Sequence, residues 1–227
     1  MQESTASWLI YHPHRERRSI DEHIIHFDDT TGNQDPYIWA DPFLHTYCHM
    51  SQFHAEEGGT HLWVSGDTFP GFSQLYCDLV FVVAQKLHWS QANDIACHDL
   101  IVDSPEAFSD HYRWHAQHPY TRRRRYTLKA DPERSFQAQT AGGDLINIVP
   151  MLERHGVTLD DLRAGLRAGF ASRPMKIPTQ TANAVAADLH NQAFHHLTGP
   201  ILRQIRLNHP ELASPRPHGS PPKINSK

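Results

Sequence analysis

Residues 75–83, LYCDLVFVV, are the longest apolar run in this chain. The run is rich in β-branched and aromatic residues, too short to span a membrane, and does not alternate. It therefore predicts a central strand buried on both faces. Residues 61–65, HLWVS, read as a second strand, with Gly66, Asp67, Pro70 and Gly71 as turn formers between the two. The stretch 60–89 is expected to be two core strands joined by a Gly/Pro loop.

The remaining composition bounds the setting. With 227 residues, 39% hydrophobic and 20% charged, the chain can bury a large core. No apolar stretch approaches a membrane span, and the N-terminal MQESTASWLIYH has no basic region followed by a long apolar one, so neither a membrane nor a signal peptide is expected. Cys48, Cys77 and Cys97 form no CxxC pair, which fits a reduced, cytoplasmic protein. The net charge of −4 gives no global signal for nucleic acid, although the 19 histidines can turn the balance positive at mildly acid pH.

Taken in order, residues 7–12 and 20–27 read as strands, and 28–36 as a loop. Asp41 is suited to cap a short helix with Pro42 at its first position. After Trp89, residues 98–102 suggest a short strand. Ser104-Pro105-Glu106 begins a helix expected to reach about residue 117, because Pro119 disfavours helix at His118. Residues 126–130 and 135–139 look like a strand pair around Asp131-Pro132. Gly142-Gly143 is a turn, and 145–149 a last strand.

From Pro150 the pattern turns helical. Thr158 and Asp161 resemble a capping box, followed by a stripe of Leu159, Leu162, Leu166 and Phe170. Pro174 and Pro178 break the next segment, residues 181–197 read as a helix, Gly199-Pro200 stops it, and 201–207 add a short helix. Residues 211–227, rich in proline, serine and glycine, are expected to be disordered. The expectation is an α+β fold. A mostly antiparallel, barrel-like sheet with one inserted helix fills residues 1–150, a helical region 151–210, and a tail 211–227.

The succession Asp41-Pro42-Phe43, Thr46-Tyr47, Leu62-Trp63-Val64-Ser65-Gly66-Asp67 and Asp78-Leu79-Val80-Phe81-Val82-Val83 resembles the nucleotide-modification-associated domains, which belong with the PUA and EVE-like barrels. The resemblance covers roughly residues 35–150 and leaves the helical region outside. It implies a compact barrel that recognises modified or flipped-out bases, linked to DNA modification or to phage and restriction systems. It carries over no catalytic residue.

The strongest chemical signal is a basic segment interleaved with aromatics: Arg113, Arg122, Arg123, Arg124, Arg125, Lys129 and Arg134 among Tyr112, Trp114, Tyr120, Tyr126 and Phe136. Guanidinium groups hold phosphates in forked geometry and aromatic faces stack on bases. The competing reading is a solvated loop, or arginines paired with Asp110, Asp131 and Glu133. A second candidate is the loop SGDTFPGF, in which Ser65, Gly66 and Asp67 can contact a ligand while Phe69 and Phe72 wall a pocket; the competing reading is a hairpin connection whose aromatics cover the end of the sheet.

His45 and His49 share a helical metal-ligand spacing, as do His111 and His115. Random placement of so many histidines gives roughly one to two such pairs, so no metal site is assigned, and no cofactor. Cys77 begins an apolar strand and reads as a small buried hydrophobe.

These residues favour a protein that binds nucleic acid or a nucleotide. The alternatives are a metal-dependent nuclease or base-modifying enzyme using His45, His49 and Asp67, and an interaction protein that assembles through its C-terminal helices.

Overall fold

The computed structural model describes residues 6–11, 16–27, 46–47, 55–66, 68–69, 71–88, 126–166 and 174–209. Within them the strands are β1 (Ser7–Tyr11), β2 (Glu16–Ile20), β3 (His23–Phe27), β4 (Thr46–Tyr47), β5 (Thr60–Gly66), β6 (Leu75–His88), β7 (Tyr126–Ala130), β8 (Phe136–Gln139), β9 (Met175–Ile177) and β10 (His195–Thr198). The helices are α1 (Val149–Arg154), α2 (Leu159–Gly165), α3 (Thr179–Gln192) and α4 (Gly199–Asn208). The helix capped by Asp41, the strand at 98–102, the inserted helix at 104–117 and the tail at 211–227 lie outside the described residues.

The fold is α+β and its pairing mostly antiparallel, as the sequence predicts. β6 is the axis of the main sheet, whose order is β10-β8-β6-β5-β1-β9, with β7 on β6 and β4 on β7. β1 and β5 run parallel, and the other pairs are antiparallel. The expected barrel is corrected to an open sheet: among the described residues, the end strands β9 and β10 do not pair with each other. The apolar faces are instead covered by separate layers, so burying them does not require closure.

The apolar run does bury both faces of its strand. Leu75, Cys77, Val80 and Val82 belong to one core with Val149, Leu152, Leu162, Val185 and Leu189 from the helices α1–α3. Leu79, Phe81 and Val83 belong to a second core with Ile20 and Ile25 of the β2–β3 hairpin and Leu202 and Ile205 of α4. Trp63 stands opposite Leu79 but Val64 opposite Cys77, so Asp78 is the extra residue of a β-bulge.

Strands β7 and β8 do not pair with each other as a hairpin would. Both run antiparallel along the same side of β6, Ala130 opposite Val83 and Phe136 opposite Val80. The turn at residues 131–134 interrupts what is otherwise one long strand. Asp131 causes the interruption: its Oδ1 accepts from the N–H groups of Glu133 (3.0 Å) and Arg134 (3.1 Å). Ser135 then fills the gap in the ladder. Its Oγ accepts from the Val82 N–H at 2.9 Å and donates to the Val82 carbonyl at 3.4 Å. The expected strand at 145–149 is reduced to isolated bridges at Leu145 and Asn147, and α1 begins at Val149 with Pro150 in its first turn.

The helical region contributes to the same sheet. The Thr158 capping box is present, with Oγ1 accepting from the Asp161 N–H at 3.2 Å and Asp161 Oδ2 accepting from the Thr158 N–H at 3.0 Å. Between the two prolines, Met175–Ile177 forms β9 on the edge of β1. The helix expected at 181–197 is α3, and it stops at Gln192. Residues 195–198 instead become β10, whose ladder to β8 starts beside the bond from the Phe194 N–H to the Gln139 carbonyl (2.8 Å). Gly199-Pro200 opens α4, since proline is tolerated in a first helical turn.

Candidate functional site

The described residues among those expected to bind a ligand divide between the two ends of β6. At the Leu75 end, Gly66 stands opposite Leu75 and Ser65 opposite Tyr76. Ser65 is buried, and its Oγ donates to Oδ1 of the equally buried Asp78 at 3.0 Å. A Cβ on Gly66 would stand 3.1 Å from the Gln74 carbonyl oxygen and 3.3 Å from the Tyr11 ring, so the backbone is closely covered. Phe69 is partly buried, its ring 4.8 Å from Tyr11 and 5.9 Å from Phe72. Phe72 is fully buried, and its carbonyl accepts from Nε (3.0 Å) and Nη2 (2.9 Å) of Arg163. These aromatic rings pack on one another and close this end of the sheet. Asp67 is outside the described residues.

At the other end, β7 brings in Tyr126 opposite His88 and Lys129 opposite Gln85, with β4 on its far side pairing Thr46 with Lys129. Arg113, Trp114, Arg122, Arg123, Arg124 and Arg125 are outside the described residues, as are His45 and His49. The arginine run nevertheless ends where β7 begins. At ~3.3 Å per residue, the fourteen-residue β6 separates its two ends by roughly 40 Å. Ser65 and Gly66 therefore pair with β6 near one end, and Tyr126 and Lys129 near the other.

Two buried titratable groups, His61 and Cys77, are held in their neutral forms. Burial lowers the His61 pKa from 6.5 to about 3, so the ring is neutral at physiological pH. It stands opposite Phe81 in register, the two rings edge to face at 6.2 Å. Burial, and then the charge of Asp78, raises the Cys77 pKa, which keeps the thiol protonated and unreactive. Among the described residues no three His, Cys, Asp or Glu side chains converge to hold a metal, and no helix is long and apolar enough to cross a membrane. A cleft of about 470 Å³ opens between the β2–β3 turn and α4, beside Asp21 and Glu22. Those two carboxylates disfavour a phosphate ligand there.

Sequence reasoning missed a buried polar seam beneath the β2–β3 hairpin. Gln137 Oε1 accepts from the His26 N–H (2.9 Å), and Gln137 Nε2 donates to the carbonyls of His26 and Asp78 (both 2.8 Å). Gln139 Nε2 donates to the Ile24 carbonyl (2.6 Å) and to Gln137 Oε1 (2.9 Å). His26 Nε2 donates to the Gly143 carbonyl (2.8 Å). The alternation in FQAQ is the available signal, but alternation alone reads as a solvent-facing side. The seam docks the hairpin, with Arg17 holding its outer edge through Asp144 (2.9 Å) and the Gly142 carbonyl (3.1 Å).

Comparison of the chain with family models, with curated proteins and with solved structures finds no match.

Proposed function

We propose that this chain is a cytoplasmic nucleic-acid or nucleotide-binding protein. In this reading Arg113, Arg122, Arg123, Arg124, Arg125 and Lys129 hold phosphate, and Trp114 and Tyr126 stack on bases. The observation that carries it is the register of Tyr126 opposite His88. The four-arginine run immediately precedes Tyr126 in the sequence, and Tyr126 pairs at the end of β6 remote from the aromatic-closed end. A rigid strand is a good anchor for a basic segment, because it limits the entropy lost when phosphates are bound. Ser65, Gly66 and Phe69 then serve to close the opposite end. The resemblance to nucleotide-modification-associated domains makes oligonucleotides with modified bases the first ligands to try. The experiment is fluorescence anisotropy with labelled single-stranded oligonucleotides, modified and unmodified, at low salt. Binding that weakens steeply as salt rises is expected. Absence of binding at low salt to DNA, RNA and modified nucleotides alike contradicts the proposal.

A further inference from the structure

We propose that His190 and His196 form a two-imidazole site for a divalent transition metal, with water in the remaining coordination positions. The chain geometry brings the rings together. His190 lies in the last turn of α3, which ends at Gln192, and Ala193 is extended. The chain passes directly into β10, where His196 stands opposite Ala138. The two rings are 4.4 Å apart between centroids, their planes inclined by 38°.

One hydrogen bond sets the protonation of His196. Its Nε2 lies 2.9 Å from the His190 carbonyl oxygen, which only accepts, so Nε2 carries the proton and Nδ1 is left with the lone pair. A ring N–H held by a backbone carbonyl is the arrangement that orients metal-ligating histidines. Among the described residues, no hydrogen bond occupies the ring nitrogens of His190. Phe136 packs against both rings, at 5.6 Å from His190 and 5.5 Å from His196, and holds the pair from the core side. His195 is the natural control. Strand alternation sets it on the opposite face of β10, and its ring lies 4.8 Å from exposed Phe194. Imidazole donors suit Ni²⁺, Cu²⁺ and Zn²⁺ over Mg²⁺ or Ca²⁺.

The test is calorimetric titration of the untagged full chain with Ni²⁺, which does not oxidise thiols. His190→Ala and His196→Ala are each expected to weaken the tightest site at least about tenfold, while His195→Ala leaves it unchanged. His190→Ala retains the carbonyl that accepts from His196, so it tests ligation apart from that hydrogen bond. Circular dichroism establishes that each variant is folded, and His190→Gln substitutes if His190→Ala is not. Equal Ni²⁺ binding by the wild type and the His190 and His196 variants overturns the site and leaves the pair as aromatic packing on Phe136. A loss confined to His195→Ala also overturns it.

Discussion

The side-chain amide of Gln137 bonds both backbone groups of His26, accepting from its N–H at 2.9 Å and donating to its carbonyl at 2.8 Å. One glutamine thus does for β3 what a neighbouring strand does in a ladder. Gln137 is 3% exposed, so water cannot take over either bond. Gln137→Leu is expected to cost about 2–4 kcal/mol, because it strands buried donors and acceptors. Urea unfolding measures this. A loss below about 1 kcal/mol would mean the hairpin is held by its other contacts, the burial of Ile20 and Ile25 and the bonds of Gln139, His26 and Arg17.

His61 makes the fold acid-sensitive. In the unfolded chain it titrates near 6.5, and in the folded protein near 3. Its contribution to stability is complete above pH 6.5 and is lost as pH falls towards 3, since only the unfolded chain takes up the proton. The full loss is on the order of 5 kcal/mol, of which about 2 kcal/mol falls between pH 6.5 and about pH 5. Wild type is expected to lose that much more than His61→Leu when urea unfolding is compared at about pH 7.5 and about pH 5. Equal losses in the two proteins would show that other groups cause the sensitivity.

Gly143 has φ +76°, and a Cβ there would overlap the Ile24 side chain. Gly143→Ala is expected to cost at least about 1–2 kcal/mol from the backbone alone, with the clash added. In an Ile24→Ala background the cost falls towards the backbone part, because the overlaps with Cδ1 and Cγ1 are removed and only the 3.1 Å approach to the Ile24 Cβ position remains. A double-mutant cycle by thermal unfolding reads the difference. No coupling between the two positions would rule out the contact.

Local chemistry was legible where it decides the outcome alone. The run at residues 75–83 lies within β6 because apolar side chains fill both faces, and the Thr158 box forms because its partners are three residues apart. Pairing was less legible. Residues 126–130 and 136–139 are strands, but nothing in them reveals that Ser135 carries the ladder past a turn and lets both lie on β6. Residues 195–198 carry the last apolar position of a helical pattern, Leu197, and that position is equally well buried in β10. The separation of Ser65 and Gly66 from Tyr126 and Lys129 along β6 was not legible, because β6 runs on to His88, beyond the apolar run.

The most direct test of the binding account compares variants from opposite ends of β6 in one salt titration of oligonucleotide affinity. Replacing Arg123 and Arg125 with alanine is expected to weaken binding and to reduce the slope of log affinity against log salt by about 1.4, as the loss of two phosphate contacts on a single strand requires. Arg163→Gln removes a guanidinium that is bonded to the Phe72 carbonyl at the closed end, and is expected to change neither affinity nor slope. An unchanged slope in the Arg123 and Arg125 variant, or a lower one in Arg163→Gln, contradicts the account.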